Sequence, residues 1–191
     1  MRTDEELFEL YRGGSRDAFE ILFSRYHRKV IHFAYRMTGE QARAEEAAQE
    51  TFLRVARAAG TWQPTARFST WLYTIARRTT LNYIRDEKDE GEKVSILPGE
   101  EDQDGHPAPQ LPGPKALNPE EMAWSAEVRE RFAAALQRLP ETYRAAFVLN
   151  RGEGLSYEEV ASVLGITVQA VKSRIFRARE MLMESLAEIL P

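Results

Sequence analysis

The sequence predicts an all-α chain: two small helical domains joined by a flexible acidic linker, the C-terminal one a helix-turn-helix. Three observations predict it. Apolar residues recur at helical period in segments bounded by capping boxes and glycines. Acids and prolines crowd the stretch from Asp86 to Pro114 and interrupt every periodicity. Near the C-terminus, two helical patterns flank Gly165 at the spacing of two helices joined by a tight turn. The boundaries fall at residues 1–87, 88–118 and 119–191.

The N-terminal elements follow in order. Thr3 and Glu6 form a capping box, and the helix they start stops at Gly13-Gly14. Ser15 caps a second helix. Its stripe of Phe19, Leu22, Phe23, Tyr26, Val30, Phe33, Ala34 and Met37 is core material, and it ends near Gly39. A third helix spans Glu40 to Ala59. Ala48, Phe52, Val55, Ala56 and Ala59 face inward; Glu45, Glu46, Gln49, Glu50, Arg54 and Arg57 face outward. Gly60 breaks it, and Pro64 keeps Thr61 to Arg67 in a loop.

The next helix, Arg67 to Arg85, has an unusual composition. Phe68, Leu72, Ile75, Ala76, Thr79 and Tyr83 share one side and can enter a core. The remaining positions, Thr70, Trp71, Tyr73, Thr74, Arg77, Arg78, Asn82 and Arg85, mix rings, hydroxyls and guanidiniums, with no acid until Asp86. Aromatic rings stack on unpaired bases, and guanidiniums meet phosphates. Two readings fit: a single-strand-binding surface, or an amphipathic helix whose second aromatic row packs on a neighbour.

Past the linker, Asn118, Pro119 and Glu121 read as a helix start. Val128, Phe132, Ala135, Leu136 and Leu139 form one stripe. Pro140 opens a helix carrying Tyr143, Ala146, Phe147 and Leu149, which Gly152 and Gly154 end. Ser156 and Glu159 form a further capping box for Tyr157 to Leu164, and Thr167 caps a last helix to about Leu190. Val160, Leu164, Ile166, Val171 and Ile175 are the buried set, with Ala161 small at the crossing. The last helix displays Gln169, Lys172, Ser173, Arg174, Phe176, Arg177 and Arg179, with no acid before Glu180. A helix of this kind fits the major groove, where Arg and Lys read guanine edges. The bland counterpart is two packed helices with a basic surface.

Composition bounds the function. The chain has 191 residues, 43% apolar and 29% charged, as in soluble globular proteins. No apolar run approaches the ~20 residues of a membrane span. No secretory leader is legible and cysteine is absent, which fits a reducing cytoplasm. A net charge of -4 argues against coating nucleic acid by bulk charge; any DNA contact must be local or helped by a partner. His27 and His32 do not share a face, and His106 sits in the linker. No Ser/His/Asp constellation, phosphate loop or metal spacing is present, so no catalytic residue, metal or cofactor is expected.

Four motifs in this order carry a resemblance: Ala44-Glu-Glu-Ala-Ala-Gln-Glu-Thr-Phe-Leu53, Phe68-Ser-Thr-Trp-Leu-Tyr-Thr-Ile-Ala-Arg77, Leu139-Pro-Glu-Thr-Tyr-Arg-Ala-Ala-Phe147, and Ser156-Tyr-Glu-Glu-Val-Ala through Val171-Lys-Ser-Arg-Ile-Phe-Arg-Ala-Arg179. The chain resembles bacterial sigma factors of the extracytoplasmic-function branch, over almost everything outside the linker. The resemblance implies that Glu46, Gln49, Glu50 and Leu53 dock on the clamp helices of the largest RNA polymerase subunit. It implies that the C-terminal domain meets the flap of the second-largest subunit. It implies a minus-ten reader that captures a flipped base, through Ser69, Thr70, Trp71, Thr74 and Arg78, with Gln63, Arg67, Phe68 and Arg77 beside them. It implies a minus-thirty-five reader through Lys172, Ser173, Phe176 and Arg177, with Thr167, Gln169, Arg174 and Arg179 beside them. An anti-sigma partner is expected on the same grounds.

The sequence departs from the family at three places. Ala47 and Ala48 stand where bulky aliphatics are usual, Arg43 where an acid is common, and Thr74 and Ile75 where housekeeping sigma factors carry paired tryptophans. The last departure is usual in this branch and implies weaker melting and stricter promoter demands. Without a middle domain the linker must cross the polymerase unaided, and its acidity suits the basic RNA exit path. The chief rival is a helix-turn-helix regulator that binds duplex DNA without polymerase, which leaves the aromatic-basic helix unexplained. A sigma mimic that binds no DNA would carry a neutral last helix, and this one is basic.

Overall fold

A computed structural model describes residues 2–63, 67–89 and 126–187, all helix and connection with no strand among them. The chain divides into two compact units, Met1–Arg85 and Asp86–Pro191. The expected linker lies outside the described residues apart from 88 and 89, as do the Asn118 cap, His106 and the expected end at Leu190.

In the N-terminal unit each helix begins where its cap sits. α1 (Asp4–Arg12) starts under a reciprocal box: the Glu6 N–H donates to the Thr3 hydroxyl at 3.2 Å, and the Thr3 N–H donates to the Glu6 carboxylate at 2.9 Å. α2 (Arg16–Thr38) starts under Ser15 and stops at Gly39, whose φ of 79° is the left-handed value a glycine reaches without strain. α3 (Gln41–Arg57) tightens into a 3-10 turn over Ala58–Thr61, two residues before the α-helix was expected to end. α4 (Phe68–Asp89) then closes the unit.

The core is built from Leu7, Phe8, Leu22, Val30, Phe33, Met37, Val55, Phe68, Leu72 and Tyr73, all fully or nearly fully buried. Ala34 of α2 meets Ala44 and Ala47 of α3, with Ile31 and Tyr83 packed against them. Small residues on both helices permit close approach, and the partly buried Tyr83 packs against them. Ala47, in this contact, and Ala48 are both fully buried. A larger side chain there has no room. Ala47→Leu is expected to destabilise the unit by about 1–3 kcal/mol through overpacking, measured by urea unfolding; unchanged stability would mean the helices can part cheaply.

Of the two readings open for the second row of α4, the packed one holds for Tyr73 and Thr70, which are buried at 2% and 4% exposure, so Thr70 is not an accessible DNA contact. Tyr73 meets Phe33 edge-on at 5.6 Å. Thr80 and Leu81 are buried too, so α4 is covered over more than half its circumference. Period 3.6 identifies one apolar side but not a helix packed from two sides. Phe23, expected in the core, is 38% exposed and stacks on His27 at 4.4 Å.

In the C-terminal unit, α5 (Ala126–Arg138) and α6 (Glu141–Phe147) precede a π-helical turn over Val148–Gly152. Asn150 ties that turn to the connection after it, its side-chain amide donating to the Leu155 carbonyl at 2.7 Å. α7 (Tyr157–Leu164) carries the predicted box between Ser156 and Glu159 and ends at Gly165, φ 69°. α8 (Val168–Ala187) follows, with the Thr167 hydroxyl accepting from the Ala170 N–H at 3.1 Å. Val160, Ala161, Val163, Val171, Ile175, Ala178 and Leu182 lock the two helices together. Leu164 and Ile166, expected inside, are only half-buried, because they lie at the turn itself.

Candidate nucleic-acid interface

Three surfaces carry the predicted residues. The first is the start of α4. Arg67, Trp71, Thr74 and Arg78, spaced four, three and four residues apart, fall on one helical face. Arg67 and Arg78 are exposed; Ser69, Trp71, Thr74 and Arg77 are half-buried; Gln63 is exposed ahead of them. The Thr74 hydroxyl donates back to the Thr70 carbonyl at 2.8 Å. Phe68 lies wholly inside and Thr70 nearly so. Both therefore support the face from beneath, and the accessible surface is smaller than the sequence suggested.

Beneath this face lies an aromatic cluster that sequence reasoning missed. Trp62, in the expected loop, is 3% exposed. The Phe8 ring centre stands 5.2 Å from Trp62, 5.0 Å from Phe68 and 5.1 Å from Trp71. The Trp62–Trp71 centroids are 6.4 Å apart. Each pair sits within the range where tilted and edge-on rings attract. No periodicity announces Trp62, because it stands alone between Gly60 and Pro64. The half-buried Trp71 thus keeps part of its surface accessible while Phe8, Trp62 and Phe68 pack around it.

The second surface is the outer row of α3. Glu46, Gln49, Glu50 and Leu53 lie at i, i+3, i+4 and i+7, on one face as expected. Leu53 is 51% exposed, an apolar group on the same face as Glu46 and Glu50. Arg54 pairs with Glu50 at 2.7 Å. Exposed pairs of this kind are worth about 0–1 kcal/mol, so Glu50 can exchange it for a partner at little cost.

The third surface is α8. Thr167, Gln169, Lys172 and Arg177 are exposed; Ser173, Arg174, Phe176 and Arg179 are half-buried. The Lys172 ammonium lies over the Tyr157 ring at 5.9 Å. Glu158 is held below the usual carboxylate range, first by its own backbone N–H, then by the Ser156 hydroxyl, and also by the Lys172 charge. Its contribution to stability is therefore present above the ordinary carboxylate range and fades as pH falls through the lowered folded value. Arg177 pairs with Glu180 at 2.9 Å, both ends solvated, and can surrender that pair to a phosphate or base.

In α6, burial lowers the pKa of the Arg144 guanidinium, which donates to the Gln137 side chain. Among the described residues no group of His, Cys, Asp and Glu is placed to hold a metal. No described helix is long and apolar enough to cross a membrane.

The sequence matches two family models. Residues 22–90 match sigma-70 region 2, and residues 129–182 match sigma-70 region 4. The RNA polymerase sigma-H factor of Pseudomonas aeruginosa is 34% identical over 191 residues, covering 98% of this chain and 95% of the relative. The ECF RNA polymerase sigma-E factor of Escherichia coli is 33% identical over 180 residues, covering 93% and 91%. Two solved structures share the fold. CnrH in complex with the cytosolic domain of CnrY aligns with a TM-score of 0.72 at 23% identity, covering 98% of this chain and 99% of that one. The sigma factor RpoE of Bartonella quintana, in complex with the anti-sigma factor NepR, aligns at 0.63 and 22% identity, covering 90% and 98%.

Proposed function

We infer that this chain, which belongs to the extracytoplasmic-function (ECF) branch of the sigma-70 family, is a sigma factor that binds core RNA polymerase and directs promoter-specific initiation. Region 2 docks through Glu46, Gln49, Glu50 and Leu53 onto the clamp helices of the largest subunit. The α4 face reads the minus-ten element as a separated strand: Arg67 and Arg78 meet phosphates, while Ser69, Trp71 and Thr74 meet a base taken from the stack. Extracting that base costs a few kcal/mol, which stacking and a pocket offset. Region 4 sits at the flap of the second-largest subunit and lays α8 in the major groove at minus thirty-five.

The observation that carries this reading is the pairing in one acidic chain of two unlike readers, one aromatic and suited to single strands, one basic and suited to duplex. With a net charge of -4, the free chain has little affinity for DNA, and the polymerase must neutralise most of the backbone. A duplex-binding regulator would leave the exposed Leu53 row and the Trp71 face without a task.

The docking step has a direct test. Leu53→Asp places a charge where an apolar group is to be buried, and losing such an anchor costs about 2 kcal/mol or more. Titration of labelled chain with core polymerase should show affinity lowered at least tenfold, with the unfolding temperature unchanged because Leu53 supports no core. Wild-type affinity in that variant would remove α3 from the docking surface. By analogy with the solved relatives, a protein partner sequesters the free chain in the cytoplasm; native copurification without one would count against that.

A further inference from the structure

The region 2 match begins at residue 22 and the region 4 match at residue 129, so α1 lies outside both. It is nonetheless fastened to both flanks of the minus-ten reader. The Glu5 carboxylate accepts the Phe68 backbone N–H at 2.9 Å, across 63 residues of sequence. That N–H is one of the first donors of α4, which the helix itself cannot satisfy. Three residues on from Glu5, the Phe8 ring touches Trp62 on one side of residues 64–66 and Phe68 on the other. α1 is itself anchored to α2: the two oxygens of Asp4 take the Arg25 guanidinium and the Tyr26 hydroxyl. The Tyr26 ring in turn meets Phe68 edge-on at 5.6 Å, and burial, then the Asp4 bond, raises its pKa so that it stays a donor. A groove of about 460 Å³ runs here, shared by Thr3, Asp4 and Glu5 of the α1 end with Arg67 and Ser69.

We propose that α1 is a working part of the promoter reader: Glu5 and Phe8 are positioning residues that set the start of α4, and with it Arg67, Ser69 and Trp71, for base capture. The inference rests on the minus-ten role proposed above. Its physical basis is that a charge-assisted bond is short and directional, and that a base-capturing pocket must be held before the base arrives. A carboxylate at the α4 N-terminus also occupies the position where the helix dipole would otherwise draw a phosphate. The strand is thereby kept on the Arg67–Arg78 face.

The test uses the full chain with core polymerase and single non-template strands of a promoter it transcribes, with an abasic site walked along the minus-ten element. Wild-type holoenzyme should lose about tenfold in affinity where the captured base is missing, the scale of one stacked base. Glu5→Ala and Phe8→Leu should bind intact and abasic strands alike, at the weaker level, with core affinity and duplex minus-thirty-five binding unchanged. Glu5→Gln, which still offers an acceptor, should recover part of the discrimination. A purely structural α1 predicts a lowered unfolding temperature with discrimination intact. Full wild-type discrimination in both Glu5→Ala and Phe8→Leu would overturn the proposal. A wild-type chain that ignores the abasic site everywhere would overturn the minus-ten reading instead.

Discussion

Phe68→Ala is expected to unfold the N-terminal unit rather than blunt a DNA contact. The ring is fully buried, and it meets Phe8 at 5.0 Å, Tyr26 at 5.6 Å and Trp71 at 6.1 Å. Removing a buried phenyl group costs about 3–5 kcal/mol, a large share of the ~5–15 kcal/mol that holds a domain together. Two neighbours leave with it: Trp62 and Trp71 lose the wall they pack against through Phe8. The measurement is thermal unfolding followed by near-ultraviolet circular dichroism, because the tryptophan environment of this unit should collapse first. Arg67→Ala is the matched control: with its side chain exposed, it should cost about 1 kcal/mol at most and lower affinity for the separated strand. If Phe68→Ala melted like the parent, the ring would not be core and a direct role at the DNA would return.

The second large effect belongs to α8. Lys172→Ala combined with Arg177→Ala should abolish transcription from promoters that depend on a minus-thirty-five element, while promoter-independent core binding persists. Each base-reading contact is worth about 1–3 kcal/mol, and the two side chains lie five residues apart without touching a common partner, so their losses should largely add. Stability should move by less than about 1 kcal/mol, since the double variant forfeits a solvated ion pair to Glu180, a ring contact to Tyr157 and the solvated attraction between Lys172 and Glu158. A footprint that survives unchanged at minus thirty-five would assign the reading to other residues of the helix.

The fold was largely legible because caps and periods are local signals. Thr3, Ser15 and Ser156 each cap where the sequence places them, and Gly39 and Gly165 take the left-handed conformation that ends their helices. What the sequence concealed is contact between distant segments. Nothing local tells that Phe8 reaches Trp62, that Glu5 caps α4, or that Tyr73 faces Phe33. Phe23 fits the stripe of α2 by period yet is left part-exposed beside Phe52, because the stripe is wider than the neighbours that cover it. The surfaces fared differently. Helical spacing gave the outward faces of α3 and α8, the resemblance added Leu53 and the roles, and on α4 spacing could not tell a binding surface from a packed second row, since buried Thr70 and Tyr73 look like binding residues until their neighbours are known.

The central claim is that two lobes of one acidic chain read separated promoter elements only when polymerase holds them. Run-off transcription tests it most directly: purified chain and core polymerase on a randomised promoter library, with each omitted in turn. The account predicts discrete transcripts from templates sharing two spaced elements, and none from either component alone. Transcripts absent from every template despite a formed complex, or tight promoter binding by the chain without polymerase, would contradict it.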